Sequence, residues 1–148
     1  MLTVPLQING EEVTTSKGID ATSPSTGKIT HKASAATIIE AVKAVEAAEA
    51  AFQSWADTPA DQKRNIFLKA ADILERRTEE VGKWEEEEAG ATTFYASGFD
   101  VLTAVSGLRD VAGNISGIVG TVPNLSDPKR SGMIVKEPYG VILGISSW

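Results

Sequence analysis

Cysteine and histidine, the residues most often used as nucleophile and general base, are almost absent from this sequence. There is no cysteine among the 148 residues, so thiolate nucleophiles, disulfides and zinc–thiolate sites are excluded within the chain. His31 is the single histidine, and with no cysteine or matched serine beside it a surface position on a strand is favoured. Ser146 and Ser147 could suggest a nucleophile, but no base is evident for them. We therefore predict no catalytic residue in this chain.

The densest group of carboxylates is the run from Glu85 to Glu88. It could bind a cation, but its spacing differs from that of an EF-hand loop. Consecutive charges of one sign usually form the solvated face of a helix. We therefore predict no metal site.

The composition is that of an ordinary globular protein, with 42% hydrophobic and 23% charged residues. A formal charge of −6 argues against binding of nucleic acid or of an anionic membrane through bulk electrostatics. The first residues show no secretory signal, and no apolar run approaches the roughly 18 residues of a membrane span. We expect one domain, or a large part of one, in the cytoplasm.

Turn residues dominate the first thirty positions. The strands Leu6–Ile8 and Glu11–Val13 flank Asn9 and Gly10, which accept positive φ, so the sequence predicts a tight hairpin. A second turn is predicted at Ser23–Gly27.

Three amphipathic helices are predicted after the hairpins. The first covers Thr37–Trp55. The second begins at Thr58, which we expect to cap it, bends at Gly82 and ends at Gly90.

The third predicted helix covers about Ser97 to Val119. Its expected buried stripe consists of Leu102, Val105, Leu108, Ala112, Ile115 and Val119. The glycines in this helix suggest close approach of another backbone; they are Gly107, Gly113 and Gly117.

The apolar run Val141–Ile145 is typical of a strand buried on both faces of a parallel sheet. Such a strand needs crossover connections and covering helices. No second strand of this type is evident upstream, so we expect its partners in residues beyond this chain.

Several segments together resemble the amino-terminal part of the NAD(P)-dependent aldehyde dehydrogenase superfamily. The segments that carry the resemblance, in order, are Ile8–Glu11, Ser23–Lys28, Ala41–Trp55, Arg64–Leu74, Glu86–Ala91, Lys136–Ile142 and Ile145–Trp148. Two further segments, Gly90–Thr92 and Leu108–Gly113, are similar to members that act on aromatic aldehydes such as salicylaldehyde.

The resemblance implies an α/β fold. We expect residues 1–148 to be an amino-terminal fragment, an incomplete cofactor-binding domain that is mostly helical with β-hairpins. Residues of about 122–138 would contribute a strand to the oligomerisation arm. Val141–Ile145 would be the first strand of a Rossmann-like parallel sheet.

Members of this superfamily oxidise an aldehyde to a carboxylic acid with NAD or NADP. The resemblance implies a cysteine nucleophile, an asparagine that holds the oxyanion, and a glutamate base. The chain has no cysteine, and the matching asparagine would follow Trp148. We therefore expect no aldehyde oxidation by this chain alone.

The resemblance also implies binding residues. Ile145, Ser146, Ser147 and Trp148 match the segment that lines the nicotinamide end of the cofactor site. Phe99 and Thr103, one helical turn apart, match the wall of the substrate tunnel; the alternative for Phe99 is a core position.

The implied partners are an aldehyde substrate and other subunits, since the family forms homo-oligomers. Exposed strands around Met133–Glu137 would promote self-association or pairing with a full-length homologue. An alternative function follows from this surface, namely a non-catalytic module that binds such a homologue. An unrelated helical bundle is disfavoured because it has no use for the apolar strand Val141–Ile145.

Overall fold

The structure is a computed structural model that describes residues 2–146. It is a mixed α/β structure in which strands come first and helices follow. The strands are β1 (Thr3–Val4), β2 (Leu6–Ile8), β3 (Glu11–Val13), β4 (Gly18–Thr22) and β5 (Ile29–Ser34).

The predicted hairpin is confirmed. β2 and β3 pair in antiparallel register, with Leu6 opposite Val13. Asn9 and Gly10 adopt φ values of 53° and 79°, the left-handed conformation that this two-residue turn requires. The predicted turn at Ser23–Gly27 is confirmed as well, because the Gly27 N–H donates to the Ser23 carbonyl at 2.8 Å.

A separate three-stranded sheet has the order β1-β5-β4. β5 pairs parallel to β1 and antiparallel to β4. His31 lies on the strand β5, as predicted, but the expected surface position is wrong because its side chain is only 15% exposed.

The helical part carries most of the chain. Its helices are α1 (Ile38–Ala56), α2 (Ala60–Arg76), α3 (Thr78–Ala89), α4 (Thr93–Tyr95) and α5 (Val101–Asn114). A π-helical turn, Ala96–Asp100, joins α4 to α5, and a 3₁₀ turn, Ile115–Gly117, follows α5.

The second predicted helix is divided at Arg77 rather than bent at Gly82. The Arg77 N–H bonds the carbonyls of Ile73 and Leu74, which closes α2 before α3 begins. The expected cap at Thr58 is wrong, because the Thr58 hydroxyl donates to the carbonyl of Ser54 in the preceding helix. The predicted end at Gly90 is confirmed by its φ of 71°.

The expected stripe of α5 is confirmed at Val105 and Ala112, which are buried. Leu102 is 43% exposed, and Val101 takes the inward position instead. The two side chains are about 100° apart around the helix, so only one can face the core. Val119 lies beyond the helical residues and is exposed.

The expectation of close backbone approach at the glycines of α5 and the turn after it is wrong. A Cβ placed on Gly107, Gly113 or Gly117 would meet no described atom within 4 Å. Close approach occurs at Gly82 instead, where a Cβ would lie 2.0 Å from the Ser97 hydroxyl oxygen.

The core is small and lies mainly between α2 and α5. Its buried apolar residues are Ala71, Ala96, Val101, Val105 and Ala112. On the adjoining surface, the Arg109 guanidinium bonds Asp72 at 3.1 Å and Glu75 at 2.7 Å, which ties α5 to α2.

Much apolar surface is uncovered. The accessible surface is 11529 Å², whereas a compact monomer of this mass would expose about 7,200 Å². None of the residues of α1, all of which the structure describes, is buried. The apolar face predicted for that helix therefore exists, but no other part of this structure buries it.

The carboxyl-terminal segment is exposed. Between Met133 and Ile145, the apolar side chains are 46% to 98% exposed. The predicted strand Val141–Ile145 is not formed, because no described residues pair with it and a parallel strand cannot hold its shape without a neighbour. Around the predicted arm strand, a single described bridge joins Thr121 to Ile134.

Candidate functional site

An open groove of about 930 Å³ lies between α3 and the segment formed by the π turn and α5. Its described lining consists of Leu74, Val81, Trp84, Glu85, Glu88, Ala89, Asp100, Val101, Thr103 and Ala104. Most of these side chains are apolar, and the carboxylates come from α3 and the π turn. The groove therefore combines a surface that suits an apolar or aromatic group with acidic edges.

Glu85 and Asp100 face one another across the groove. Partial burial raises the pKa of Glu85, and a hydrogen bond with Asp100 and repulsion by its charge raise it further. Two carboxyl groups that approach in this way are more stable when they share one proton. The groove therefore carries a carboxyl group whose protonation is favoured by its surroundings.

His31 links the sheet to the same groove. Its Nε2 lies 3.6 Å from Glu88 Oε1. The Thr30 hydroxyl donates to the Ala21 carbonyl at 3.1 Å and lies 3.1 Å from His31 Nδ1. These contacts place the imidazole between the Thr30 hydroxyl and Glu88 of α3.

The two predicted substrate-wall residues have different surroundings. Thr103 is part of the groove lining. Phe99 lies on the π turn and is 55% exposed among the described residues. Its ring stands edge-on to Tyr95 at 6.2 Å, and Tyr95 stands edge-on to Phe94 at 5.5 Å. We name Phe94, Tyr95 and Phe99 the aromatic cluster; it adjoins the groove at Asp100.

The predicted cofactor-binding segment is not brought to the groove. Ile145 is 88% exposed and Ser146 is exposed as well. These two side chains alone form no cradle for a nicotinamide ring, so they do not by themselves fit a cofactor. Ser147 and Trp148 lie outside the described residues.

Several features of this region were not predicted from sequence. The π turn has no sequence signal, since no proline marks it and its one glycine, Gly98, is an ordinary exposed position. Nothing in the sequence indicated that Trp84 would line a groove. Glu85 belonged to a run assigned to solvent, and only the tertiary structure places Asp100 beside it.

Within residues 2–146 no cluster of three or more His, Asp or Glu side chains could hold a metal ion. Among the helices described, none combines the length and the apolar character needed to cross a membrane.

Comparison with known proteins decides the family. Residues 11–148 match the aldehyde dehydrogenase family. The chain belongs to that family. The mixed α/β architecture described above corresponds to the amino-terminal part of the aldehyde dehydrogenase fold.

Two curated relatives carry names that refer to aromatic aldehydes. Vanillin dehydrogenase of Pseudomonas sp. strain HR199 is 37% identical over 150 aligned residues, which cover 100% of this chain and 31% of that protein. Salicylaldehyde dehydrogenase of Pseudomonas putida is 30% identical over 125 residues, or 84% of this chain and 26% of that protein. The chain thus spans about a third or less of the length of these relatives.

Solved structures give the same result. Salicylaldehyde dehydrogenase from Pseudomonas putida G7, complexed with salicylaldehyde, superposes with a TM-score of 0.86 at 26% identity, covering 93% of this chain and 29% of that chain. An NAD-dependent benzaldehyde dehydrogenase from Corynebacterium glutamicum has a TM-score of 0.80 at 25% identity, covering 86% and 28%.

Proposed function

We propose that this chain forms the amino-terminal part of an NAD(P)-dependent aldehyde dehydrogenase that oxidises aromatic aldehydes to carboxylic acids. The match along the whole chain to vanillin dehydrogenase, at 37% identity, supports the reaction class. The names of the salicylaldehyde and benzaldehyde enzymes support an aromatic substrate.

The groove at Thr103 is the structural observation that carries the proposal. Its apolar walls and the Phe99 ring provide surfaces on which a flat ring can pack. Thr103 and Phe99 would form one wall of the substrate site. The exposed edges of the other rings indicate that further protein covers this side in the working enzyme.

The chemistry would be divided between this chain and the rest of the fold. The sequence contains no cysteine, so the nucleophile of the family must come from elsewhere. When bound, NAD or NADP accepts the hydride, and we assign no step of that transfer to the described residues. We expect no turnover by this chain alone.

The alternative of a non-catalytic module that binds a homologue receives no support, because the relatives named above are dehydrogenases. Association with other subunits and a place in the cytoplasm stay predictions. The contribution of residues 122–138 to an oligomerisation arm is likewise a proposal.

The proposal can be tested in a joined enzyme, in which residues 1–148 of this chain replace the corresponding part of vanillin dehydrogenase from Pseudomonas sp. strain HR199. Truncating the proposed wall, by Phe99→Ala or Thr103→Ala, should raise KM for vanillin and benzaldehyde. A lost apolar contact of this size reduces kcat/KM by about tenfold.

Matched controls separate the wall from its neighbours. Phe94→Ala removes the same ring from the same aromatic cluster, at a position that is 73% exposed. Leu102→Ala changes the residue beside Thr103, on a different side of α5. Equal effects of the wall variants and the controls, or oxidation of aldehydes by the 148-residue chain alone, would contradict the proposal.

A further inference from the structure

Gly82 is buried in the middle of α3, where it touches the π turn. A Cβ at this position would lie 2.0 Å from Ser97 Oγ, 3.0 Å from Ser97 Cβ and 3.2 Å from Ser97 Cα. The hydroxyl could rotate away, but the contacts with the Cβ and Cα of Ser97 would still be tight, so the π turn would have to move away from α3 by a few tenths of an ångström. The absence of a side chain at residue 82 lets the π turn lie at its present distance from α3.

The π turn sets the direction of the residues around it. The Val101 N–H bonds the Ala96 carbonyl, five residues back, so the turn holds one residue more than an α-helical turn. One extra residue rotates all that follows by about 100°. Phe99 lies within the π turn, and Thr103 lies one helical turn after it. The positions of both side chains therefore depend on the position of the π turn.

The π turn is held in place at both of its ends. Ala96, the first residue of the turn, is fully buried, and Val101, the first residue after it, is 4% exposed. Asp100, at its end, lines the same groove as Glu85 of α3. Between these contacts, Ser97 meets the backbone of Gly82. A movement of the π turn at this contact would move Phe99, which lies on the turn, and Thr103, which follows it.

We infer that Gly82 is a positioning residue. Because it has no side chain, Ser97 can pack against α3, and this contact sets the position of the wall formed by Phe99 and Thr103. The inference rests on the proposed function. Through this contact α3 would take part in substrate selection, although it is distant in the sequence from the family's reacting groups. Gly82 touches neither substrate nor cofactor in this account and acts only through the π turn.

The test is Gly82→Ala in the joined enzyme, compared with Gly107→Ala. The control makes the same change on α5, where the added Cβ meets no described atom within 4 Å. The assay measures kcat and KM for vanillin and for acetaldehyde, which has no ring to pack on the wall. For Gly82→Ala, KM for vanillin should rise about tenfold, with a much smaller change for acetaldehyde. Gly107→Ala should leave both constants unchanged.

A merely structural role predicts another pattern. Partial unfolding would lower the amount of active enzyme, so kcat would fall equally for both aldehydes and KM would stay constant. That result would overturn the inference. The double variant Gly82→Ala with Ser97→Gly removes the clashing Cβ and hydroxyl of Ser97. Its KM for vanillin should return most of the way to that of the unmodified joined enzyme.

A second variant keeps the test decisive if Gly82→Ala does not fold. Ser97→Thr adds a methyl group to the same contact from the opposite side, and it should shift KM for vanillin in the same direction. An unchanged KM ratio between vanillin and acetaldehyde in every folded variant would overturn the inference. Loss of all oxidation in the unmodified joined enzyme would instead overturn the proposed function.

Discussion

Val105→Ala tests whether the small interface between α2 and α5 holds the helical part together. Val105 is 2% exposed and is one of the few fully packed side chains in the described core. Its truncation removes two methyl-sized groups, each worth about 0.8 kcal/mol when buried. The residual cavity adds to this loss, so the free energy of unfolding should fall by about 2 kcal/mol.

Val111→Ala is the matched control. It makes the same chemical change on α5 at a side chain that is 47% exposed. The gain in helix propensity from Val to Ala is the same at both positions. The difference between the two variants therefore isolates the effect of burial, and the control should lose no more than about 0.5 kcal/mol.

Equilibrium unfolding of the 148-residue chain in urea, followed by circular dichroism at 222 nm, measures both variants. A loss of about 2 kcal/mol corresponds to a midpoint shift of about 1 M urea. Equal losses for the two variants would show that α5 does not pack on α2 as described.

Two further predictions concern pH. Because the pKa of Glu85 is raised by burial and by Asp100, this carboxyl stabilises the fold when protonated, and that contribution is lost as pH rises through the raised value. Glu85→Gln should therefore unfold at higher urea than the unmodified chain at about pH 7 and at equal urea near pH 4. The pKa of Glu40 is lowered by hydrogen bonds with Thr37, so its contribution is present above the ordinary carboxyl pKa and is lost as pH falls through the lowered value. Thr37→Ala should reduce helicity at pH 7, and an undiminished difference at about pH 3 would contradict this account of the cap.

Features encoded by neighbouring residues were predictable from the sequence. Asn9 and Gly10 determine the hairpin because few other residues accept positive φ at two consecutive positions. Gly90 ends α3 for the same reason. The apolar periodicity located the helices, although it could not determine which of their faces this chain covers.

Features set by tertiary packing were not predictable. The division at Arg77 has neither a proline nor a glycine to mark it, and the π turn packs against α3 at Gly82, a contact between residues 15 positions apart in the sequence. For the site, residue type alone gave no reason to select Thr103. The resemblance to a family selected it, and the structure then placed it in a groove.

We expect this chain to work as part of an aldehyde dehydrogenase and to be inactive without the rest of the fold. The most direct measurement is formation of the reduced cofactor, followed at 340 nm, with benzaldehyde and either NAD or NADP. The joined enzyme should oxidise the aldehyde, and the 148-residue chain at equal concentration should give no signal above buffer. A joined enzyme that folds but has no activity would contradict the claim that the chain supplies a working part, and turnover by the chain alone would contradict the dependence on the rest of the fold.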